Sequence, residues 1–331
     1  MSLRAYILKR IVYTIVLVLF VIIVNWFIFQ AIPGVEGAIG SLQGNPRATS
    51  QQYQHFQELY GLNKSPLQRF EEYFWGMLTF NFGNSFVTQH PVIDDIVKSG
   101  RLANTVLLLG TSTVLGIVIG ILFGVVVSAR RGSGIDTGSV TVALTTFSLP
   151  VFWMGLTFIA VFSYLLHWFP PGKAYPDTWF LFGNPPHAQL ILTRLQYLFL
   201  PMLVLTLFQY GGFLLLTRAT MLETLSEDYV TTARAKGLKE RTVLFKHAFK
   251  NASLPLVTAS ALGFGTVLGG AILTETVFNW NGLGLWLYNS IIGKDFPVMQ
   301  AMFYILALSV IIANFIADLI YGIIDPRIRY E

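Results

Sequence analysis

The stretch LANTVLLLGTSTVLGIVIGILFGVVVSA, Leu102 to Ala129, carries no charged side chain over 28 residues. An α-helix rises 1.5 Å per residue, and about 20 apolar residues cross a hydrocarbon core of about 30 Å. The stretch is long enough to cross, and in lipid its backbone amides need partners within the segment, which a helix supplies. Gly116, Gly120 and Gly124 recur every fourth residue and form one flat stripe along that helix. Helices in lipid associate by close packing, so such a stripe predicts a helix packing face.

Five further runs have the same character: Ile11 to Val35, Thr137 to Gly172, Leu195 to Thr217, Asn251 to Thr274 and Phe296 to Ala317. One run could be a core helix of a soluble domain, but six describe a membrane bundle. The composition agrees. Only 12% of the 331 residues are charged, against about a quarter in an ordinary soluble domain. Arg4, Lys9 and Arg10 precede the first run, as in a signal peptide. That run exceeds the 7–15 residues of a signal core and no small-x-small cleavage site follows it, so it reads as a retained anchor.

Charge sets the expected orientation. Residues 1–10, 130–139, 218–253 and the tail after Ile324 hold 14 of the 22 Lys and Arg, in about half the length of the segments on the other side. The positive-inside rule then places both termini in the cytoplasm of a multi-pass cell (plasma or inner) membrane protein. The net charge of +5 is thereby explained by topology and by contact with membrane lipid, without nucleic acid.

The expected architecture is an all-α integral membrane protein with a six-helix transmembrane bundle. Residues 1–10 are a cytoplasmic N-terminus and 11–32 the first transmembrane helix. Residues 33–101 read as a small external helical subdomain. Within it, Tyr53, Phe56 and Tyr60 share one helical face, Phe70, Tyr73, Phe74 and Met77 another, and Val92, Ile93, Ile96 and Val97 a third. A flexible tether would not need so many aromatic residues. Five further spans follow at about 104–129, 140–166, 196–217, 254–276 and 300–324, with a long cytoplasmic loop at 218–253. Pro150 and Pro201 fall inside spans, where each removes a backbone hydrogen bond and favours a kink.

Chemistry is sparse. There is no cysteine, and the five histidines are scattered with no pair at i, i+4, so no metal site is expected. No segment matches the P-loop pattern G-x-x-x-x-G-K-[ST]; Gly172-Lys173 and Gly293-Lys294 lack both the upstream glycine and the following hydroxyl. No nucleophile–base set is identifiable, so no catalytic residue is expected. Within or beside the spans stand Glu275, Asn314 and Asp318, the last two four residues apart on one helix face. Such polar groups are either on a translocation pathway or structural contacts.

The long loop is the richest segment: EDYVTTARAKGLKERTVLFKHAFKNASLP, Glu227 to Pro255. Acidic residues favour a helix N-terminus at its start, Gly237 supplies a left-handed stop, and a basic second helix follows. The pattern Tyr229, Ala233-Arg234-Ala235-Lys236-Gly237, His247, Asn251, Pro255 resembles the EAA loop of permease subunits of binding-protein-dependent ABC importers, in the dipeptide/oligopeptide subfamily. Thr231-Thr232 stands where the generic motif has Glu-Ala, a departure usual in the peptide subfamily. Glu275-Thr276-Val277-Phe278, Gly282-Leu283-Gly284, Asp295-Phe296-Pro297-Val298 and Asp325-Pro326-Arg327-Ile328-Arg329-Tyr330 continue the likeness. Upstream, so do Gly61-Leu62, Phe82-Gly83-Asn84-Ser85-Phe86 and Arg101-Leu102-Ala103-Asn104-Thr105.

The resemblance implies that residues 102–331 are the importer's transmembrane domain and that 218–253 is its coupling loop. Tyr229, Ala233, Arg234, Ala235, Lys236, Gly237 and Leu238 would then couple to an ATPase. It implies a second homologous permease subunit, two ABC ATPase subunits and an extracellular substrate-binding protein as partners. It further implies no cofactor on this chain, with ATP and Mg bound by the ATPases. The implied cargo is di- or oligopeptide; the same machinery in relatives carries oligosaccharides or nickel. A stand-alone secondary transporter or channel is the rival class. The absence of an intramembrane chain of carboxylates counts against it.

Overall fold

The computed structural model describes residues 3–31, 64–179, 187–265 and 271–324. The expectations for 32–63, including the helix around Tyr53 to Tyr60 and the Gly61-Leu62 motif, and for the terminal Asp325 to Tyr330 motif lie outside these residues. Among the described residues the protein is helical throughout, with one isolated bridge between Asn84 and Pro91.

Among the described residues four helices are long and apolar enough to cross a membrane. They are α1 (Leu3–Ala31), the helix Arg101–Ser128, the helix His187–Leu225 and the helix Phe296–Ile324. In chain order, α2 (Pro66–Leu78) and α3 (Val92–Val97) precede α4 (Arg101–Ser128). Next come α5 (Gly134–Ser148) and α6 (Val151–Phe158), the latter running into a π-helical turn, Ile159–Leu165. The long α7 (His187–Leu225) leads to α8 (Asp228–Ala235) and the single turn α9 (Glu240–Thr242). A second π-helical stretch, Val243–Ala248, joins α9 to α10 (Phe249–Gly265). The chain finishes with α11 (Ile272–Val277), α12 (Leu283–Ile292) and α13 (Phe296–Ile324).

Pro150 and Pro201 behave differently. At Pro150 the helix stops: Leu149 is extended at φ −74°, ψ 136°, and α5 and the α6 segment meet at 101°. The ring of a proline disfavours helical backbone in the residue before it, and here the chain yields. The expected span 140–166 is thus a bent pair, which raises the membrane-crossing elements to as many as five. Pro201 lies inside an unbroken α7. There the lost hydrogen bond is tolerated because α7 is gripped along its length by α4, α5, α6 and α10. The expected span 254–276 corresponds to α10 and α11, on either side of residues outside the described set.

α4 packs closely along α7. A Cβ built on Gly116 would stand 2.7 Å from Gln209 Cβ, on Gly120 2.6 Å from Phe213 Cβ, and on Gly124 2.5 Å from Thr217 Cβ. The glycine stripe lies flat against one face of α7, and all three glycines are buried.

At one end of the bundle α2 and α3 pack onto α1, α12 and α13. Ser65 starts α2 with a capping box: it accepts from the Gln68 N–H, while the Gln68 side chain accepts from the Ser65 N–H. The apolar face of α2 meets α1 through Trp26, whose ring lies 5.6 Å from Phe70 and 5.2 Å from Tyr73. Asn25 then donates to Tyr73 Oη (2.8 Å) and to the Gln300 carbonyl (3.1 Å), tying α1, α2 and α13 together. Met77, Val92 and Ile96 are buried in the same cluster as Trp286 and Met302, whereas Val97 is exposed.

Candidate functional site

The segment between α7 and α10 forms a compact elbow. Glu227 is the extended residue before α8, and Asp228 lies in the first turn, where negative charge complements the helix dipole. The helix ends at Lys236, whose N–H donates to the Thr232 carbonyl, and Gly237 turns the chain with φ +73°. This is a left-handed position that only glycine adopts freely. The elbow is fastened at two further points. Arg234 makes a two-pronged contact with Glu240 across the glycine, Nη2 to Oε1 at 2.8 Å and Nε to Oε2 at 3.3 Å. Asn251 at the start of α10 donates to Tyr229 Oη at 2.7 Å.

The inner face of α8 presents Val230 and Ala233, both buried against Val125, Met221, Val243, Leu244, Ala248 and Ala252. The outer face is open: Tyr229, Arg234, Ala235, Lys236, Gly237 and Leu238 are all exposed. Ala233 is thus a packing residue beneath the knob, and the other six form its surface. The Arg234 hydrogen bond holds the Glu240 carboxyl below its ordinary range. The pair is therefore complete above the usual glutamate range and is lost as the pH falls through the depressed value. Both side chains are about half exposed, so Glu240→Gln should lower stability by less than about 1 kcal/mol. Thermal unfolding checks this, and a larger loss would mean that the pair holds the elbow together.

At the other end of α4 a polar brace surrounds Glu275, which is fully enclosed. Thr105 donates its hydroxyl to Glu275 Oε1 (2.8 Å), and the Leu285 N–H donates to Oε2 (3.0 Å). Thr105 in turn accepts from the Leu283 N–H at 2.8 Å. Leu283 and Leu285 lie in the first turn of α12, whose N-cap Gly282 has no side chain to serve them. A carboxylate and a hydroxyl from other helices therefore satisfy helix-end donors that would otherwise be orphaned. Gly282 is required for this approach, because a Cβ there would overlap the Glu275 carboxylate and the Thr105 hydroxyl.

Asn104 extends the brace. It donates to the Asn281 carbonyl (2.8 Å), accepts from Arg194 Nη2 (2.7 Å), and its backbone carbonyl receives Trp280 Nε1–H (3.0 Å). A second clamp joins segments far apart in sequence. Asp295, just before α13, accepts the Ser85 hydroxyl and the N–H groups of Phe86 and Val87. The chain around 82–86, 101–105, 275–284 and 295–298 thus meets in two knots of buried polar contacts. Asn104, Thr105, Ser85 and Asp295 fall within those stretches, yet nothing local singles out any of them, because the contacts that join them to other segments span 90 to 210 positions.

The remaining polar candidates part company. Asp318 pairs with Arg10 of α1 at 2.9 Å, and its backbone carbonyl accepts the Tyr6 hydroxyl. Asn314, one turn earlier, is exposed on α13, and no hydrogen bond joins it to Asp318 among the described residues. Two cavities flank α10. One of about 490 Å³ lies toward α4, α5 and α7, and one of about 660 Å³ lies toward α13. No group of three or more metal-binding side chains occurs among the described residues.

Residues 116–330 match the family described as binding-protein-dependent transport system inner membrane component. The chain is 37% identical over 326 residues to the oligopeptide transport system permease protein AppB of Bacillus subtilis (strain 168), covering 98% of this chain and 99% of that one. It is 34% identical to the di/tripeptide transport system permease protein DppB of Pseudomonas aeruginosa (strain UCBPP-PA14), over 94% of each chain. It is 36% identical to the dipeptide transport system permease protein DppB of Escherichia coli (strain K12), over 82% of this chain and 83% of that one. With a family match over most of its length and near-full-length likeness to these permeases, this multi-pass membrane protein belongs to the family of binding-protein-dependent transport system inner membrane components.

Proposed function

We propose that the chain is a permease subunit of an ABC importer and forms half of the translocation pathway for di- or oligopeptides. The observation that carries this reading is the elbow. It is a short helix locked by Gly237, the Arg234–Glu240 pair and the Tyr229–Asn251 bond, with an exposed outer face and no chemistry of its own. A rigid protrusion continuous with membrane helices on both sides is suited to receive motion from a neighbouring subunit. Two ABC ATPases carrying ATP and Mg would supply that motion. A second homologous permease would complete the pathway, and an extracellular binding protein would deliver the peptide. The chain itself is the non-catalytic member. Its contribution is a pair of conformations whose populations the partners shift.

Reconstitution with these partners tests the assignment. Peptide uptake into proteoliposomes should require ATP and all subunits, and steady transport by this chain alone would overturn it. The proposed topology has six spans with both termini cytoplasmic. Because the natural chain has no cysteine, Ser41→Cys should react with an impermeant thiol reagent added outside the cell, and Ser133→Cys should not. The opposite labelling pattern would invert the orientation.

A further inference from the structure

The cavity of about 490 Å³ between α4, α5, α7 and α10 has walls that are almost wholly apolar, formed by side chains such as Leu109, Phe147, Leu205 and Phe208. Phe147 and Phe208 stack at 5.5 Å to make one flat wall. Gln209 breaks this chemistry. It lies near the midpoint of the apolar part of α7, is half-buried, and lines the cavity. Its amide, with two donors and an acceptor, is the polar group of α7 on this wall. The root of the side chain is fixed, because Gly116 of α4 presses directly against Gln209 Cβ. The amide opens onto the cavity, where a polar group of a passing molecule can meet it.

We infer that Gln209 is a substrate-contacting residue, whose side-chain amide hydrogen-bonds the backbone amide of the peptide as it passes along this apolar wall. The inference rests on the importer reading and deepens it. A peptide bond offers one N–H and one C=O, the complement of what Gln209 presents. The surrounding aromatic and aliphatic wall accepts varied side chains without discriminating among them. A lipid acyl chain would fill the volume but leave the amide unmet. The cavity size falls within the range of small-molecule sites.

The test uses the complete reconstituted complex with trialanine and its analogue N-methylated on the amide nitrogen of the middle residue, both at saturating binding protein. The affinity of the binding protein for each peptide is measured separately. Gln209→Leu keeps the apolar volume and removes the amide. It should slow trialanine uptake by about five- to tenfold while ATP hydrolysis stimulated by the binding protein stays within about twofold. Wild type should favour trialanine over the methylated peptide, and the Leu variant should carry both at equal rates. Gln209→Asn, with a shorter amide, should fall between the two and covers the case in which the Leu variant fails to assemble.

Unchanged trialanine uptake in Gln209→Leu, or an undiminished preference over the methylated peptide, would overturn the assignment. Labelling of this wall by a photoreactive phospholipid during turnover, with uptake unchanged, would do so in favour of lipid. Failure of the wild-type complex to import trialanine or any other peptide would instead refute the importer reading itself.

Discussion

Gly120→Leu should abolish accumulation of the folded protein, and the milder Gly120→Ala should lower its melting temperature measurably. A Cβ at position 120 would stand 2.6 Å from Phe213 Cβ, 2.9 Å from the Tyr210 carbonyl and 3.1 Å from the Leu214 N–H. Two of these neighbours are backbone atoms of α7, so no side-chain rotation can make room and the helices must separate. Overpacking a single methyl against a rigid partner costs about 1–3 kcal/mol. Leucine adds three more carbons and forfeits the close contact along the stripe. The control lies on the same helix. Gly110 has nothing within 4 Å of an added Cβ, and alanine is the better helix former by about 1 kcal/mol. Gly110→Ala should therefore be neutral or stabilising. Thermal unfolding in detergent compares the two, and equal melting would show that the stripe is not a packing face.

The second large effect concerns coupling rather than folding. Gly237→Val should leave the protein inserted and paired with the second permease, yet weaken ATPase docking and abolish stimulation of ATP hydrolysis by the loaded binding protein. At φ +73° a side chain costs about 1–2 kcal/mol, and a β-branched one is least tolerated. Nothing lies within 4 Å of the added Cβ, so the penalty is relieved only by moving the backbone. That movement would redirect Ala235, Lys236 and Leu238 on the outer face and pull Arg234 away from Glu240. Asparagine tolerates the left-handed region, so Gly237→Asn should restore most of the stimulation. Co-purification of the subunits together with ATPase rates provides the measurement. Wild-type docking and stimulation in the valine variant would mean that the elbow is only a connection between helices.

Much of this molecule is legible in its sequence because the signals are local. Charge-free runs mark membrane helices wherever they occur, since the cost of an unpaired backbone amide in lipid leaves the chain no other choice. The four-residue spacing of Gly116, Gly120 and Gly124 marks a flat helix face by geometry alone, and the acidic start and glycine stop of the 227–237 segment mark a helix and its turn. Tertiary structure decided what such signals cannot carry. Pro150 breaks its helix and Pro201 does not, although both stand in apolar runs. The resemblance groups Ala233 with the residues that would couple to an ATPase, but it faces inward, because the elbow folds back onto Val125 and Met221. Glu275 and Asp318 look alike as lone carboxylates in apolar sequence. One braces the first turn of α12 and the other pairs with Arg10, and only the assembled bundle brings those partners within reach. Gln209 is an ordinary polar residue until α4, α5, α7 and α10 place it on the wall of an apolar cavity. Hydrophobic length and glycine spacing are properties of a chain segment, whereas the partner of a buried polar group is a property of the packed helices.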